Sequence, residues 1–202
     1  MTSRSHDPET LAFYNREAAT YAARRLATVT QELSDFMARL PAGACVLDLG
    51  CGGGQDSEVM LAHGLRVTPL DGSEALAQVA QARLGVPVRV QLFEDLDDEA
   101  AFEGALANAP LLHVPLDNLG QVLARVFRAL KPGGIFYASH TAGDGGDRDS
   151  LGRYFNFPTP QGLTAIYAQS APWEALEIDQ RDGHSYEQEP RTWLLVRAVK
   201  PE

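Results

Sequence analysis

Short apolar runs alternate with amphipathic stretches along most of the chain. Four runs predict β-strands, at residues 45–49, 65–70, 86–92 and 135–138. Residues 102–108 are a further strand by elimination, because Gly104 and the alanines weaken its signal. Three stretches between them carry apolar side chains at helical spacing, at residues 55–63, 73–84 and 115–130. Strands that alternate with helices predict an α/β fold, in which a mostly parallel sheet carries helices on both of its faces.

The N-terminal part of the chain has a helical pattern without strands. Pro8 could open a first helix within residues 8–40. A second helical stripe, formed by Leu33, Phe36, Met37 and Leu40, ends at Pro41-Ala42-Gly43. Tyr14, Tyr21 and Arg25 follow one another at intervals that place them on one face of a helix. The sequence therefore predicts a helical segment ahead of the sheet.

The C-terminal part predicts a different arrangement. Residues 141–153 are rich in Gly and Asp, which is typical of a long solvated loop. The remaining predicted elements are a helix at residues 159–169 and strands at 173–181 and 191–199, joined by a polar loop around residues 182–184. Two closing strands with no helix between them predict an antiparallel hairpin at one edge of the sheet.

The net charge, the cysteines and the lengths of the apolar runs limit the kinds of binding partner and the cellular compartment that we expect. The 202 residues carry a net charge of −10, which disfavours nucleic acid as a partner. Cys45 and Cys51 indicate neither a disulfide framework nor a zinc site. No apolar run approaches the ~20 residues of a membrane span, and residues 1–9 lack the apolar core of a signal peptide. We expect a soluble cytoplasmic protein with no membrane partner and no metal.

The stretch Val46 to Asp56 carries the main chemical signal. An apolar strand ends at Asp48-Leu49, a glycine-rich turn follows, and a helical pattern begins at Gln55. Glycine lets the backbone approach a ligand closely, and a helix N-terminus presents unpaired N–H groups. This order predicts a nucleotide-like cofactor at the carboxyl end of the first strand.

Acidic residues follow the next two predicted strands. Asp71 lies 23 residues after Asp48, a distance that suits a carboxylate accepting from ribose hydroxyls. Asp95 follows the third strand and could accept from an exocyclic amine such as that of adenine. Together these strand ends predict a pocket for an adenosine with free 2′ and 3′ hydroxyls.

The spacing of the glycines argues against a dinucleotide. A dinucleotide fingerprint beginning at Gly50 requires a glycine at the position of Gln55. Asp48, before the turn, would be unfavourable beside a pyrophosphate, but it could orient the turn or bind an ammonium group.

Several of these motifs resemble those of the class I S-adenosylmethionine-dependent methyltransferases. The matching segments, in the order expected for that family, are residues 48–54, 68–73, 94–96, 111–115 and 129–134. The resemblance is strongest to the small-molecule subgroup that contains ubiquinone-biosynthesis-type and tellurite-resistance-type members. It implies a Rossmann-like sheet of seven strands with an antiparallel last strand, and an N-terminal helical lid.

The resemblance also implies that residues 1–202 form one domain whose successive segments have different roles. Residues 1–40 would form the lid, residues 44–140 the cofactor-binding core, and residues 141–202 the acceptor loop with the C-terminal helix and hairpin. The implied cofactor-binding residues are Tyr14, Tyr21, Arg25, Asp48, Gly50, Cys51, Gly52, Asp71, Gly72, Ser73, Glu94, Asp95, Leu96, Asn108 and Ala109. S-adenosylmethionine would be the cofactor and S-adenosylhomocysteine its product, in a monomer or homodimer.

Candidates on the acceptor side follow the fourth and fifth strands. His113 could act as a base or orient the acceptor, or it could simply pack at a helix entry. The other predicted substrate-binding residues are His140, Arg153, Tyr154 and Phe155. An aromatic cluster of this kind is as often simple packing, and Tyr14 and Tyr21 could likewise be buried against the sheet. The acidic residues of the 141–153 loop lack the spacing of a calcium loop.

We therefore expect methyl transfer to a small-molecule acceptor by in-line displacement. Two other functions stay open: a protein that binds S-adenosylmethionine or S-adenosylhomocysteine without transfer, and a nicotinamide-dependent oxidoreductase. Gln55 and the closing hairpin argue against the oxidoreductase. The identity of the acceptor cannot be read from the sequence, since it would be bound by loops that vary freely on this scaffold.

Overall fold

The computed structural model describes residues 6–24, 27–184 and 189–202. Its strands are Cys45–Leu49 (β1), Arg66–Asp71 (β2), Arg89–Val90 (β3), Phe102–Asn108 (β4), Leu130–Thr141 (β5), Gly145–Arg148 (β6), Tyr154–Phe157 (β7), Ala175–His184 (β8) and Pro190–Val199 (β9). Its helices are Pro8–Ala23 (α1), Gln31–Ala38 (α2), Gln55–Ala62 (α3), Glu74–Leu84 (α4), Leu116–Ala129 (α5) and Pro160–Ser170 (α6). Short 3-10 turns lie at Phe93–Asp95 and Leu111–His113.

Within the described ranges, seven of these strands form one sheet in the order β3-β2-β1-β4-β5-β9-β8. β1 to β5 run parallel to one another, whereas β9 is antiparallel to both β5 and β8. The predicted fold class, a mostly parallel sheet with an antiparallel last strand and flanking helices, is confirmed.

Both faces of the sheet are covered, which explains why β1 is an unbroken apolar run. Leu47 and Leu49 point to the face packed by α5 and α6, in a cluster that includes Leu123 and Tyr167. Val46 points to the other face, where α2 and α3 supply a second cluster. Alternate side chains of one strand are therefore buried on opposite faces, as parallel sheets require.

The third strand is much shorter than its alternating pattern suggests. Residues 86–92 predict a full strand, but only Arg89 and Val90 pair with β2. β3 lies at the edge of the sheet, and Pro87 has no N–H to donate to a neighbouring strand. Val90 is 57% exposed, so this strand has little apolar burial to extend it.

Two other boundaries differ from expectation. The predicted loop 141–153 contains β6, which pairs with β7 in a two-stranded hairpin. The predicted polar loop at 182–184 belongs to β8, whose His184 still pairs with Pro190. The two helical stretches predicted within residues 8–40 are α1 and α2, and Thr30 begins α2 by accepting a hydrogen bond from Leu33 N.

Candidate active site

Two adjoining cavities open at the carboxyl ends of the parallel strands. The first cavity encloses about 780 Å³, including space open to solvent, and has the size of a small-molecule site. The second cavity continues from the first toward the β6–β7 hairpin and the beginning of β9. Seven residues line both: Tyr14, Tyr21, Gly50, Gly52, Asn108, Ala109 and His113. The cavities thus meet between α1, the glycine turn and the end of β4.

The glycine turn brings bare backbone to the wall of both cavities. Gly50 and Gly52 have φ angles of +64° and +55°, a region that side-chain-bearing residues rarely occupy. A Cβ on Gly50 would overlap the ring of Pro110, whereas one on Gly52 would approach the ring of Tyr21 to 3.5 Å. The sequence prediction of a turn that needs glycine therefore has a steric basis.

Asp71 is a buried acid of the first cavity that backbone hydrogen bonds hold in place. Its two carboxylate oxygens accept hydrogen bonds from Gly52 N at 2.9 Å and Ser73 N at 2.8 Å. Burial raises the pKa of Asp71 to about 6, although these two hydrogen bonds oppose the rise. Each oxygen keeps a further acceptor position. The carboxylate is therefore held in a fixed orientation and can accept from two more donors.

A second polar group lies at the base of the second cavity. Asp48 is buried and accepts from the Ser57 hydroxyl at 2.6 Å. Asp56 accepts from Asn108 Nδ2 at 2.8 Å, and Asn108 Oδ1 accepts from Ser139 at 3.0 Å. Two carboxylates from β1 and α3 are thus held beside the glycine turn, where they favour a positively charged group.

The ring of His113 is fixed at both nitrogens. Nδ1 lies 2.6 Å from the Tyr154 carbonyl oxygen and Nε2 lies 2.8 Å from the Tyr14 hydroxyl. Because a carbonyl can only accept, Nδ1 carries the proton and Nε2 accepts from Tyr14. Burial lowers the pKa of His113 to about 4, so the imidazole is neutral near pH 7.

Arg153 lies behind this pair and is 2% exposed. Its guanidinium forms an ion pair with Asp149 at 2.6 Å and approaches the Tyr14 hydroxyl at 3.4 Å. It also lies 5.2 Å from the ring centroid of Phe155, which contacts His113 edge-on at 4.6 Å. The residues Tyr14, His113, Arg153 and Phe155 therefore form one packed group.

The β6–β7 hairpin is tied to α1 and to the 3-10 turn at 111–113. Tyr154 N donates to the Thr10 hydroxyl at 2.8 Å, and Arg148 pairs with Asp7 at 2.7 Å. Asn156, fully buried, donates to the carbonyls of Leu111 and Val114. The expected solvated loop is instead a fixed wall of the second cavity.

The structure corrects the predicted adenine-side residues. Asp95 is exposed and Leu96 is fully buried in the core, and neither lines the first cavity. Glu94 also lies outside the lining and pairs with His6 at 3.3 Å. Leu92 and Phe93 line the cavity instead. The 3-10 turn that follows β3 rotates the two acids away, and such a turn has no clear sequence signal.

His140, predicted to bind the substrate, faces away from both cavities, whereas its neighbour Thr141 faces the second cavity. Neighbouring residues of a strand face opposite sides of the sheet. His140 therefore faces α6, where it is fully buried and lies 3.1 Å from the Tyr167 hydroxyl, and it lines neither cavity. Thr141, which sequence reasoning missed, faces the second cavity. Burial lowers the pKa of His140 to about 3, so it remains neutral in the core.

The remaining predicted residues separate into three groups. Those that line at least one cavity are Tyr14, Tyr21, Asp48, Gly50, Cys51, Gly52, Asp71, Gly72, Ser73, Asn108, Ala109, His113, Arg153 and Phe155. Tyr154 contributes its backbone, while its side chain lies outside both linings. Arg25 lies outside the described residues.

Two further residues of the second cavity were not predicted from the sequence. Arg191 and Trp193 come from β9, whose strand pattern marks them only as alternating positions. Trp193 pairs with Thr141 across β5 and β9, so both side chains lie on the same face of the sheet. Both residues lie within the strand predicted at residues 191–199, and its alternation was the available signal.

Comparisons with known proteins match both the sequence and the fold. A family model described as a methyltransferase domain matches residues 46–134. The ubiquinone biosynthesis O-methyltransferase of Paramagnetospirillum magneticum is 33% identical over 135 residues, which cover 64% of this chain and 50% of that protein. The chain spans about half the length of the curated relatives that it matches.

Solved structures extend the match over the whole chain. The 1,6-didemethyltoxoflavin-N1-methyltransferase of Burkholderia thailandensis, with bound 1,6-didemethyltoxoflavin and S-adenosylhomocysteine, has a TM-score of 0.71 at 26% identity. The alignment covers 100% of this chain and 94% of that one. The cyclase SpnF shares the fold at 18% identity, with a TM-score of 0.72 and coverage of 98% and 99%.

The matched segment contains five of the seven residues that line both cavities. These are Gly50, Gly52, Asn108, Ala109 and His113. Residues 46–134 thus match a methyltransferase domain, and the chain has the Rossmann-like fold of the class I S-adenosylmethionine-dependent methyltransferases.

Proposed function

We propose that the protein binds S-adenosylmethionine in the first cavity and transfers its methyl group to a small molecule in the second. The observation that carries this proposal is Asp71, a buried carboxylate oriented by two backbone N–H groups beside a glycine turn. Its free acceptor positions suit the 2′ and 3′ hydroxyls of a ribose. The adjoining second cavity provides space for an acceptor.

The residues present fit each part of this cofactor. Leu76, Leu92 and Phe93 give the first cavity an apolar wall suited to an adenine ring. Gly50 and Gly52 leave bare backbone where the amino-acid end would pass. Asp48 and Asp56 lie beside the turn and suit its ammonium group. These assignments place the adenine on Leu92 and Phe93, not on Asp95 and Leu96.

The bound cofactor would supply an electrophilic methyl group on a positively charged sulfur. In an in-line displacement the acceptor's lone pair forms the new bond to that carbon as the carbon–sulfur bond breaks, leaving a neutral thioether. The protein's contribution is position and exclusion of water. Tyr14 and Tyr21, from α1, cover the junction of the two cavities, and their rings pack edge to face at 5.0 Å.

His113 fits a positioning role better than the role of a general base. Its Nε2 already accepts from Tyr14, and a pKa of about 4 makes it a weak base near pH 7. We propose that it fixes the Tyr14 hydroxyl at the junction of the cavities. Acceptors that are already deprotonated, or that carry a free lone pair, need no base from the protein.

The cofactor proposal is tested by titrating S-adenosylhomocysteine into the purified protein by calorimetry. We expect binding in the micromolar range for the native sequence, and a loss of at least tenfold, about 1.4 kcal/mol, for Asp71→Ala. Asp95→Ala is the matched control and should bind normally, because Asp95 is exposed and lines neither cavity. Equal affinity for all three proteins would contradict the proposal.

Binding without transfer remains the second candidate, because the similar fold of the cyclase SpnF shows that the scaffold alone does not determine the reaction. The discriminating measurement is formation of S-adenosylhomocysteine from S-adenosylmethionine across a library of small acceptors. Formation with one acceptor class supports transfer. Tight cofactor binding with no product across the library would favour a sensor or regulatory role.

A further inference from the structure

We propose that the acceptor is a flat aromatic molecule with an anionic substituent, held by Phe155, Phe157, Thr141 and Arg191. This inference rests on the proposed function, since it assigns the chemistry of the second cavity. It goes beyond methyl transfer by naming the acceptor class and the residues that select it.

The aromatic part is inferred from the wall formed by β7. Phe155 and Phe157 are two residues apart on one strand and face the same side. Their rings are nearly parallel, with centroids 5.9 Å apart and an interplanar angle of 6°. Both line the second cavity, and Phe155 also contacts the His113 ring at the junction. Such a surface suits a flat ring better than an aliphatic chain.

The polar part is inferred from Thr141, the last residue of β5. Thr141 is 4% exposed, and its hydroxyl makes no hydrogen bond within the described part of the chain. A buried hydroxyl without a partner destabilises the protein. Thr141 lines the second cavity, so a polar atom of a bound molecule that reaches the hydroxyl would satisfy it. Trp193, its neighbour across the sheet, gives the same side a further aromatic surface.

The anionic part is inferred from the charges around the cavity. Arg148 and Arg153 are each paired with carboxylates, from Asp7 and Asp149 respectively. Arg191 forms no ion pair with any described residue, and its guanidinium lies 5.4 Å from the Phe157 ring centroid. A cation held against an aromatic ring and left without a carboxylate favours an anionic ligand beside that ring.

The positions of Asp48, Asp56 and Arg191 give the cavity a direction. Asp147 and Asp149 also line it from the hairpin, and Asp149 is neutralised by Arg153. Asp48 and Asp56 lie at the end next to the glycine turn, with Ser57 and Asn108 as donors. Arg191 lies at the other end, on β9. An acceptor with its anionic group at Arg191 therefore extends its ring along Phe157 and Phe155 toward the junction. The atom to be methylated would be remote from the anionic group.

The test uses three small probes with the protein saturated with S-adenosylhomocysteine. 4-Hydroxybenzoate carries the ring and the anion, phenol lacks the anion, and 4-hydroxycyclohexanecarboxylate lacks the aromatic ring. We expect 4-hydroxybenzoate to bind about tenfold more tightly than either of the other two, by calorimetry. Arg191→Gln should abolish the advantage over phenol, and Thr141→Val should weaken 4-hydroxybenzoate severalfold while Thr141→Ser retains its affinity.

Arg197→Gln is the matched control, since Arg197 lies on the same strand but pairs with Glu177 and Asp179 outside the cavity. Its preference should equal that of the native protein. No preference for 4-hydroxybenzoate in the native protein, or a preference that survives Arg191→Gln, would overturn the inference. Failure of S-adenosylhomocysteine itself to bind would instead contradict the proposed function, so the two outcomes are separable.

Discussion

Single residues explain most of the chemistry proposed for this protein. Asp71 was predicted from its distance to Asp48, and the structure gives it two backbone donors and a buried environment. Thr141 and Phe93 were missed because His140 and Asp95, close in sequence, carry stronger chemical signals. Which neighbour reaches a cavity depends on strand alternation and on a 3-10 turn, and residue type alone indicates neither.

The raised pKa of Asp71 predicts how cofactor affinity depends on pH. Ribose hydroxyls donate to the ionised carboxylate, which is lost as the pH falls below about 6. We expect the affinity for S-adenosylhomocysteine to fall up to tenfold per pH unit below that value, measured by calorimetry between pH 5 and 7.5. Asp71→Asn should bind weakly and without this dependence. A flat profile for the native protein would contradict the assignment.

Ionisation of Asp71 favours ligand binding, but it lowers the stability of the folded protein. Its pKa rises from 3.8 to about 6 on folding, so its contribution is complete below pH 3.8 and is lost as the pH rises through about 6. Burial of the ionised carboxylate thus favours unfolding at neutral pH, where its hydrogen bonds to a ligand would offset the cost. A carboxylate whose pKa is raised by burial and that lines a cavity is typical of binding sites.

A Tyr14 variant tests whether the Tyr14 hydroxyl holds the His113 ring in place. Tyr14→Phe removes the donor to His113 Nε2 and leaves a buried acceptor without a partner. We expect a loss of about 1–3 kcal/mol in the free energy of unfolding in urea. A double-mutant cycle with His113→Ala should give a coupling energy of about 1 kcal/mol. Strictly additive effects would show that the two side chains do not act as a pair.

Among the elements, the β6–β7 hairpin changes the picture most. Its glycines and aspartates predict a loop, yet long-range partners hold it in place. Burial alone would raise the pKa of Asp7, but hydrogen bonds from Arg148 and Thr10 lower it to about 2. The hairpin thus contacts the first turn of α1, which lines the first cavity. Such contacts across 140 or so residues of chain cannot be read from local sequence.

Arg148→Ala should loosen this contact without unfolding the sheet. Because Arg148 pairs with both Asp7 and Glu9, we expect severalfold faster amide hydrogen exchange in residues 145–157 and in the first turn of α1. Exchange in β1 and β4 should be unchanged. Arg197→Ala, which breaks a surface pair elsewhere, serves as the control. Unchanged exchange in the hairpin would mean that Asn156 and Tyr154 hold it unaided.

For the molecule as a whole, the pattern of strands and helices predicted the architecture. The strand at 45–49 and the helices around it lie where expected, because buried parallel strands are apolar runs bounded by turns. The strand at 102–108, predicted only by elimination because Gly104 and the alanines weaken its pattern, also has the expected bounds. The glycine turn and Asp71 could be predicted because backbone geometry and strand ends constrain them directly. The acceptor side could not, since it is assembled from α1, β7 and β9.

Within the described ranges, no helix is long and apolar enough to cross a bilayer.

Two cavities organise the molecule. The first lies at the carboxyl ends of β1, β2 and β4, and the second lies beyond it. The division into a lid, a cofactor core and an acceptor region remains a prediction. α1 lines both cavities, and the hairpin lines the second cavity and contacts α1, so we propose that the lid and the acceptor region act together.

The most direct measurement is a crystal structure of the protein with S-adenosylhomocysteine bound. We expect both ribose hydroxyls within hydrogen-bonding distance of the Asp71 carboxylate, the adenine against Leu92 and Phe93, and the sulfur facing the second cavity. A ligand bound elsewhere, or a ribose that makes no contact with Asp71, would contradict the proposed site.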